Sequence, residues 1–170
     1  MIFLFKSWHS SKASSNGAFM PVENTPKRVL LLEKNPGDTL LIREILQQSS
    51  DILFELSYFD RLSAGLESLK QQTFDIILLD LSLPDTRGLE SVVQISQAAP
   101  AIPILILSHL HDEPFAKEAL RCGAQDYVIK SRVNGLILWR IIDYAIARKK
   151  FFLPQTTTHT KENAAEVKQL

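Results

Sequence analysis

The sequence predicts an α/β fold built on a parallel sheet, and three observations predict it. Four short runs, at 29–32, 76–79, 104–107 and 127–129, are apolar and rich in Ile, Val and Leu. Strands buried on both faces read this way. Amphipathic segments separate the runs, and strands alternating with helices make βαβ units with right-handed crossovers. Each run also ends in a residue able to handle a phosphoryl group: Glu33, Asp80, Ser108 and Lys130 in turn. In an open parallel sheet the carboxyl ends of the strands share one edge, where ligands and chemistry sit. Two carboxylates, a hydroxyl and an ammonium are therefore expected to converge, with Asp80 as the acceptor.

The elements follow in order. After the first run, Asn35 and Pro36 read as an N-cap and a first helical residue, opening a helix through Leu40, Leu41, Ile45 and Leu46. A further strand is expected at 53–58. Asp60 is placed as the cap of the next helix, with Leu62, Leu66 and Leu69 inward. A third helix is expected at 86–98. Asp112 is placed as the cap of a fourth, with Phe115, Ala119 and Leu120 inward. The last helix is expected at 134–150.

Bulk composition fits one core of ordinary size in a chain of 170 residues. The strand–helix pattern occupies 27–150, between an expected disordered leader at 1–26 and a flexible tail at 151–170. The leader is serine-rich and holds Trp8 and a second candidate start, Met20. In the tail, Pro154 breaks the last helix and a threonine-rich stretch follows. Lysine plus arginine equals aspartate plus glutamate, at 19 each, so no global basic field points to nucleic acid. The apolar stretch at 2–5 is too short for a signal sequence or a membrane span. The single cysteine, Cys122, fits a reducing cytosol and reads as small core filler beside Gly123. There is no internal repeat, zinc-ligand spacing or glycine-rich phosphate loop, and the four histidines are scattered.

Four segments together carry a resemblance: VLLLEKNPGD at 29–38, FDIILLDLSLPD at 74–85 with Gly88, IPILILS at 102–108, and GAQDYVIK at 123–130. Any one of them is a weak signal. In this order and at these spacings they resemble the receiver domain of two-component response regulators, over nearly all of the expected folded part. The resemblance implies a doubly wound, flavodoxin-like (βα)₅ fold with strand order 2-1-3-4-5. It also implies a signalling module rather than an enzyme, phosphorylated on an aspartate by a histidine kinase or phosphotransfer partner and acting on a downstream protein.

On this resemblance Asp80 is the phosphoacceptor, Ser108 bonds a phosphoryl oxygen, and Lys130 pairs with Asp80 and then with the phosphate. Tyr127 matches the aromatic whose inward or outward state accompanies activation, so it and Ser108 are the expected switch residues. The family normally follows its first strand with two acids that hold Mg²⁺ together with the acceptor. Glu33 keeps the first, whereas Lys34 replaces the second. Mg²⁺ takes oxygen ligands in an octahedron, so a weakened site on Glu33 and Asp80 is expected. Two placements of Lys34 are open. Its ammonium either occupies the position of the metal and neutralises Asp80, or swings to solvent. After Ser108 the family usually has a small residue, where this chain has His109. After Lys130 many receivers have proline, where this chain has Ser131.

The last helix carries Leu136, Ile137, Leu138, Trp139, Ile141, Ile142, Tyr144 and Ile146, too many apolar residues for one stripe. A homodimer or partner contact through it is expected, with Trp139 as candidate anchor; burial of Trp139 against the sheet is the competing placement. The basic run Arg148, Lys149 and Lys150 matches the negative end of the helix dipole. Two other function classes stay open. One is a pseudo-receiver, an interaction module without phosphorylation, for which Lys34 argues. The other is a nucleotide- or flavin-binding enzyme on a related fold, against which the single glycine between 33 and 37 counts.

Overall fold

The computed structural model describes residues 25–49 and 52–152. Five strands, β1 (Lys27–Leu32), β2 (Phe54–Phe59), β3 (Ile76–Leu79), β4 (Ile104–Ser108) and β5 (Asp126–Ile129), form one parallel sheet in the order β2-β1-β3-β4-β5. The helices are α1 (Pro36–Gln47), α2 (Leu62–Gln71), α3 (Glu90–Ala98), α4 (Glu113–Arg121) and α5 (Gly135–Phe152). This is the doubly wound, flavodoxin-like arrangement that the sequence predicts. The expected leader and tail fall almost entirely outside the described residues, as do Trp8, Met20 and Pro154.

Side-chain alternation along the strands divides the core into two halves. Leu30, Leu32, Ile77, Leu79 and Ile106 face Leu62, Val92, Ile95 and Ala119 of α2, α3 and α4. Val29, Leu31, Ile76, Leu78 and Leu107 face Ile42 and Leu46 of α1 and Leu138 and Ile142 of α5. Both faces are thus covered, which is why the strands read as unbroken apolar runs. α2 lies unusually close to β1 at Gly65, where a Cβ would come within 2.4 Å of Leu32 Cδ2.

The register sets the edge that matters. Leu32 pairs with Leu79, and Leu79 with Ile106, so β1, β3 and β4 end nearly level. One residue on, the Asp80 N–H still donates to the Leu32 carbonyl at 2.8 Å, and the Glu33 N–H to the Phe59 carbonyl at 3.0 Å. Both acids therefore extend the rigid sheet rather than sit on free loops.

Helix starts divide into local and non-local ones. Asn35 caps α1, its side chain accepting from the Gly37 N–H at 2.9 Å, and Asp112 caps α4 by accepting from the Phe115 N–H at 2.9 Å. Asp60 does not cap α2. The N-cap position is Arg61, which makes no side-chain cap bond. The carboxylate comes instead from Asp85, 23 residues on, whose Oδ1 and Oδ2 accept from the Leu62 and Ser63 N–H groups, each at 2.9 Å. The third helix also starts later than expected, at Glu90, because residues 85–89 form a loop turned by Gly88 at φ +51°. Leu120 faces solvent rather than the core.

The Asp85 cap yields a stability prediction. Burial works against its charge, but hydrogen bonds led by the Ser63 and Leu62 N–H groups hold its pKa down to about 2. A depressed carboxylate stabilises the fold above its ordinary value near 3.8, and the contribution fades as pH falls towards 2. Asp85→Ala is expected to cost about 1 kcal/mol at pH 7, the usual worth of an N-cap. Urea denaturation should show the difference from the unaltered protein shrinking below pH 4. A difference independent of pH would mean that the carboxylate is not the cap.

Candidate functional site: a carboxylate cluster around Lys130

At the carboxyl edge of the sheet one ammonium meets three carboxylates. Lys130 follows β5 and opens a short 3-10 turn (Lys130–Arg132). Its Nζ donates to Glu33 Oε2, to Asp80 Oδ2 at 2.5 Å and to Asp38 Oδ2 at 2.8 Å. Glu33, Asp80 and Lys130 are buried. The remaining acceptors are filled by backbone. Glu33 Oε1 accepts from the Asn35 N–H at 2.8 Å, and Asp80 Oδ1 from the Ser82 N–H at 2.5 Å. Both acids are thereby fixed in direction as well as position.

Burial and charge act in opposition here. Desolvation, then the nearby Asp80 charge, leave Glu33 above the usual carboxylate range despite its bond to Lys130. Desolvation also acts to raise Asp80, but hydrogen bonds from Lys130 and the Ser82 N–H outweigh it and leave the carboxyl below its ordinary value. Lys130 is penalised by burial, yet its bonds to Asp38, Asp80 and Glu33 keep it firmly protonated. Asp80 is therefore an ionised carboxylate at neutral pH, as a phosphoryl acceptor needs to be.

The sequence places Glu33, Asp80, Ser108 and Lys130 at this edge, and the fold brings them to it. Ser108 ends β4, and its Oγ accepts from the Leu110 N–H at 3.0 Å. Among the described residues its hydroxyl donates to no partner. Tyr127 lies in β5, with its hydroxyl donating to the Leu110 carbonyl at 3.1 Å and its ring edge-on to Phe115 at 6.5 Å. The segment after Ser108 is thus held from two sides.

Lys34 is exposed and, among the described residues, makes no ion pair. Of its two open placements the structure shows the solvent one, and the ammonium among the carboxylates is that of Lys130. Asp38 escapes the sequence reading. It stands in the first turn of α1, five residues after Glu33, and contributes the third carboxylate. The signal was present: Asn35 and Pro36 fix the start of α1 at the same sheet edge, which aims its first turn at the strand ends. An acid there passes for a dipole complement. Burial acts to raise the Asp38 carboxyl, but bonds from Lys130 and His109 leave it below its ordinary value.

The three acids offer one carboxylate oxygen each, all within 4.8 Å of one another. Hard oxygen donors so grouped fit a Mg²⁺-type cation. Among the described residues no helix is long and apolar enough to cross a membrane.

Fold and site together define a response-regulator type of module, and comparison with known proteins agrees. The family model for the response regulator receiver domain matches residues 29–140, and the chain belongs to that family. The transcriptional regulatory protein CreB of Escherichia coli is 33% identical over 128 residues, covering 74% of this chain and 54% of CreB. The chain thus spans about half the length of that relative. The Mn²⁺-bound form of response regulator Rcp1 is 29% identical with a TM-score of 0.56, covering 78% of this chain and 98% of Rcp1. A receiver domain of a sensor histidine kinase from Pseudomonas aeruginosa, solved with magnesium in its active-site cleft, superposes with a TM-score of 0.63 at 23% identity. It covers 72% of this chain and 99% of that one. Receivers are signalling modules of two-component systems. Because CreB regulates transcription, the balanced charge of this chain speaks only for its own surface, not for a nucleic-acid role of a longer protein.

Proposed function

We propose that the chain is a phosphorelay receiver that takes a phosphoryl group onto Asp80 from a histidine kinase or phosphotransfer partner. The observation carrying this reading is the Asp80 carboxylate itself: ionised, fixed by the Ser82 N–H, and paired at 2.5 Å with a buried ammonium. In the transfer, one Asp80 oxygen attacks phosphorus. The phosphorus–nitrogen bond of the donor breaks as the oxygen–phosphorus bond forms, and the imidazole leaves with the electron pair. Lys130 is placed to follow the negative charge from carboxylate to phosphoryl oxygen, and Ser108 to donate its hydroxyl proton to another. Glu33, Asp38 and Asp80 are the residues that would hold a divalent cation. When bound, it would neutralise charge on the transferring group.

Tyr127 is the proposed switch residue, since it joins β5 to the segment following Ser108 through Leu110. The proposed partner surface includes α5, where Ile137, Tyr144 and Phe151 recur at sevenfold spacing and stay exposed. That surface suits a second copy or a downstream protein. Lys34 supports a second reading, a pseudo-receiver that binds partners without phosphorylation. One experiment separates the two. Treatment with a small-molecule phosphodonor and Mg²⁺ should add one phosphoryl group by mass, labile to hydroxylamine and absent in Asp80→Asn. Label surviving in Asp80→Asn would reject the assignment of the acceptor, and no label in the unaltered protein would favour the pseudo-receiver.

A further inference from the structure

The residue after Ser108, His109, lies against the site from outside. Its Nε2 is 2.9 Å from Asp38 Oδ2, the same oxygen that accepts from Lys130 at 2.8 Å. The imidazole is mostly exposed, whereas Asp38 is largely covered, its side chain 17% accessible. The contact therefore contributes little as a surface pair. Its position is what matters. Glu33 and Asp80 are oriented by backbone N–H groups of their own loops. Asp38 has no such bond among the described residues, and its carboxylate is directed only by Lys130 and His109. If a cation enters the cluster or Lys130 turns towards a phosphoryl group, His109 is the one described partner left to hold Asp38.

We infer that His109 is a positioning residue, which keeps Asp38 turned into the cluster as the third carboxylate that position 34 does not supply. It acts through Asp38 and not on the phosphoryl group. The role is that of an outer partner to a metal-ligating carboxylate, whose loss usually weakens metal binding by about 10–100-fold. It ties the β4–α4 segment to α1 across the mouth of the site. The inference rests on the proposed receiver site and adds to it a residue at which the family usually has a small side chain.

Isothermal titration of the full chain with Mg²⁺ alone tests it, using His109→Ala, His109→Gln, Asp38→Asn and the double variant His109→Ala with Asp38→Asn. Thermal melts accompany each titration to confirm folding. His109→Ala should weaken Mg²⁺ binding about tenfold. His109→Gln, which keeps an N–H donor, should recover part of the loss. The double variant should bind no more weakly than Asp38→Asn. Unchanged Mg²⁺ affinity in His109→Ala, or losses that multiply in the double variant, would overturn the role of His109 while leaving the site intact. No Mg²⁺ binding by the unaltered protein would overturn the cation-site reading and this inference with it.

Discussion

Lys130→Met is expected to destabilise the protein by about 3–5 kcal/mol at pH 7, the usual cost of removing one partner from a buried ionic group. The methionine fills nearly the same volume, so the loss is electrostatic. Without the ammonium, Glu33, Asp38 and Asp80 remain with oxygens within 4.8 Å of one another, and among the described residues no other buried Lys or Arg balances them; the exposed His109 touches only Asp38. The deficit should depend on pH with a definite sign. In the unaltered protein Asp38 and Asp80 lie below their ordinary values, so their stabilisation is present at neutral pH and fades as pH falls below about 4. In the variant the unpaired acids are pushed upward, led by Glu33, which burial already raises. Protonating them then stabilises the variant as pH falls from 7 towards 5. The two stabilities should converge with acid, and Mg²⁺ at neutral pH should narrow the gap as well. Urea denaturation at pH 7 and pH 5, with and without Mg²⁺, measures all of this. Equal stability of the two proteins at pH 7 would show that the cluster is not held by Lys130.

The same cluster shows what can be read from sequence and what cannot. Glu33, Asp80, Ser108 and Lys130 were legible because each follows an apolar run, and a parallel sheet puts all strand ends on one edge. That inference needs only strand direction. Asp38 was not legible by this route, because it reaches the site from a helix, and its role depends on how that helix leans over the sheet. The side on which Lys34 would fall was equally hidden. Adjacent residues at a strand end diverge, and only the backbone after β1 decides which one turns inward. Helix caps divide in the same way. Asn35 and Asp112 bond groups two or three residues away and are visible in local sequence. Asp85 serves a helix that precedes β3 in the chain, so local sequence points to Asp60 instead. The start of α3 is hidden from sequence because Thr86 and Leu89 fit helical spacing as well as they fit a loop, and the turn at Gly88 overrides them. In α5 the surplus of apolar residues was plain, but how many of them α1 would cover was not.

That last ambiguity centres on Trp139, for which sequence left an interface role and a core role in competition. The structure puts it on the seam between α5 and α1. Its ring packs at the edge of the core formed with Ile42, Leu46, Leu138 and Ile142. Its Nε1–H donates to the Ile45 carbonyl at 2.8 Å. A tryptophan so engaged joins two helices of its own chain. Trp139→Ala should therefore destabilise by about 2–3 kcal/mol, below the ~3–5 kcal/mol typical of fully buried aromatics because part of the ring is exposed. Trp139→Phe restores most of the packing but leaves the N–H bond unmade, and should lose only about 1 kcal/mol. Neither change should alter association, because the exposed apolar side chains of α5 are others, among them Tyr144 at 60% and Phe151 at 82% accessibility. Tyr144→Glu should do the opposite, reducing any self-association while leaving the melting temperature nearly unchanged, since isolated surface substitutions usually stay within about 0.5 kcal/mol. Thermal melting and sedimentation velocity on the same samples distinguish the two positions. A Trp139→Ala protein that melts like the unaltered chain but sediments as a smaller species would return Trp139 to the interface.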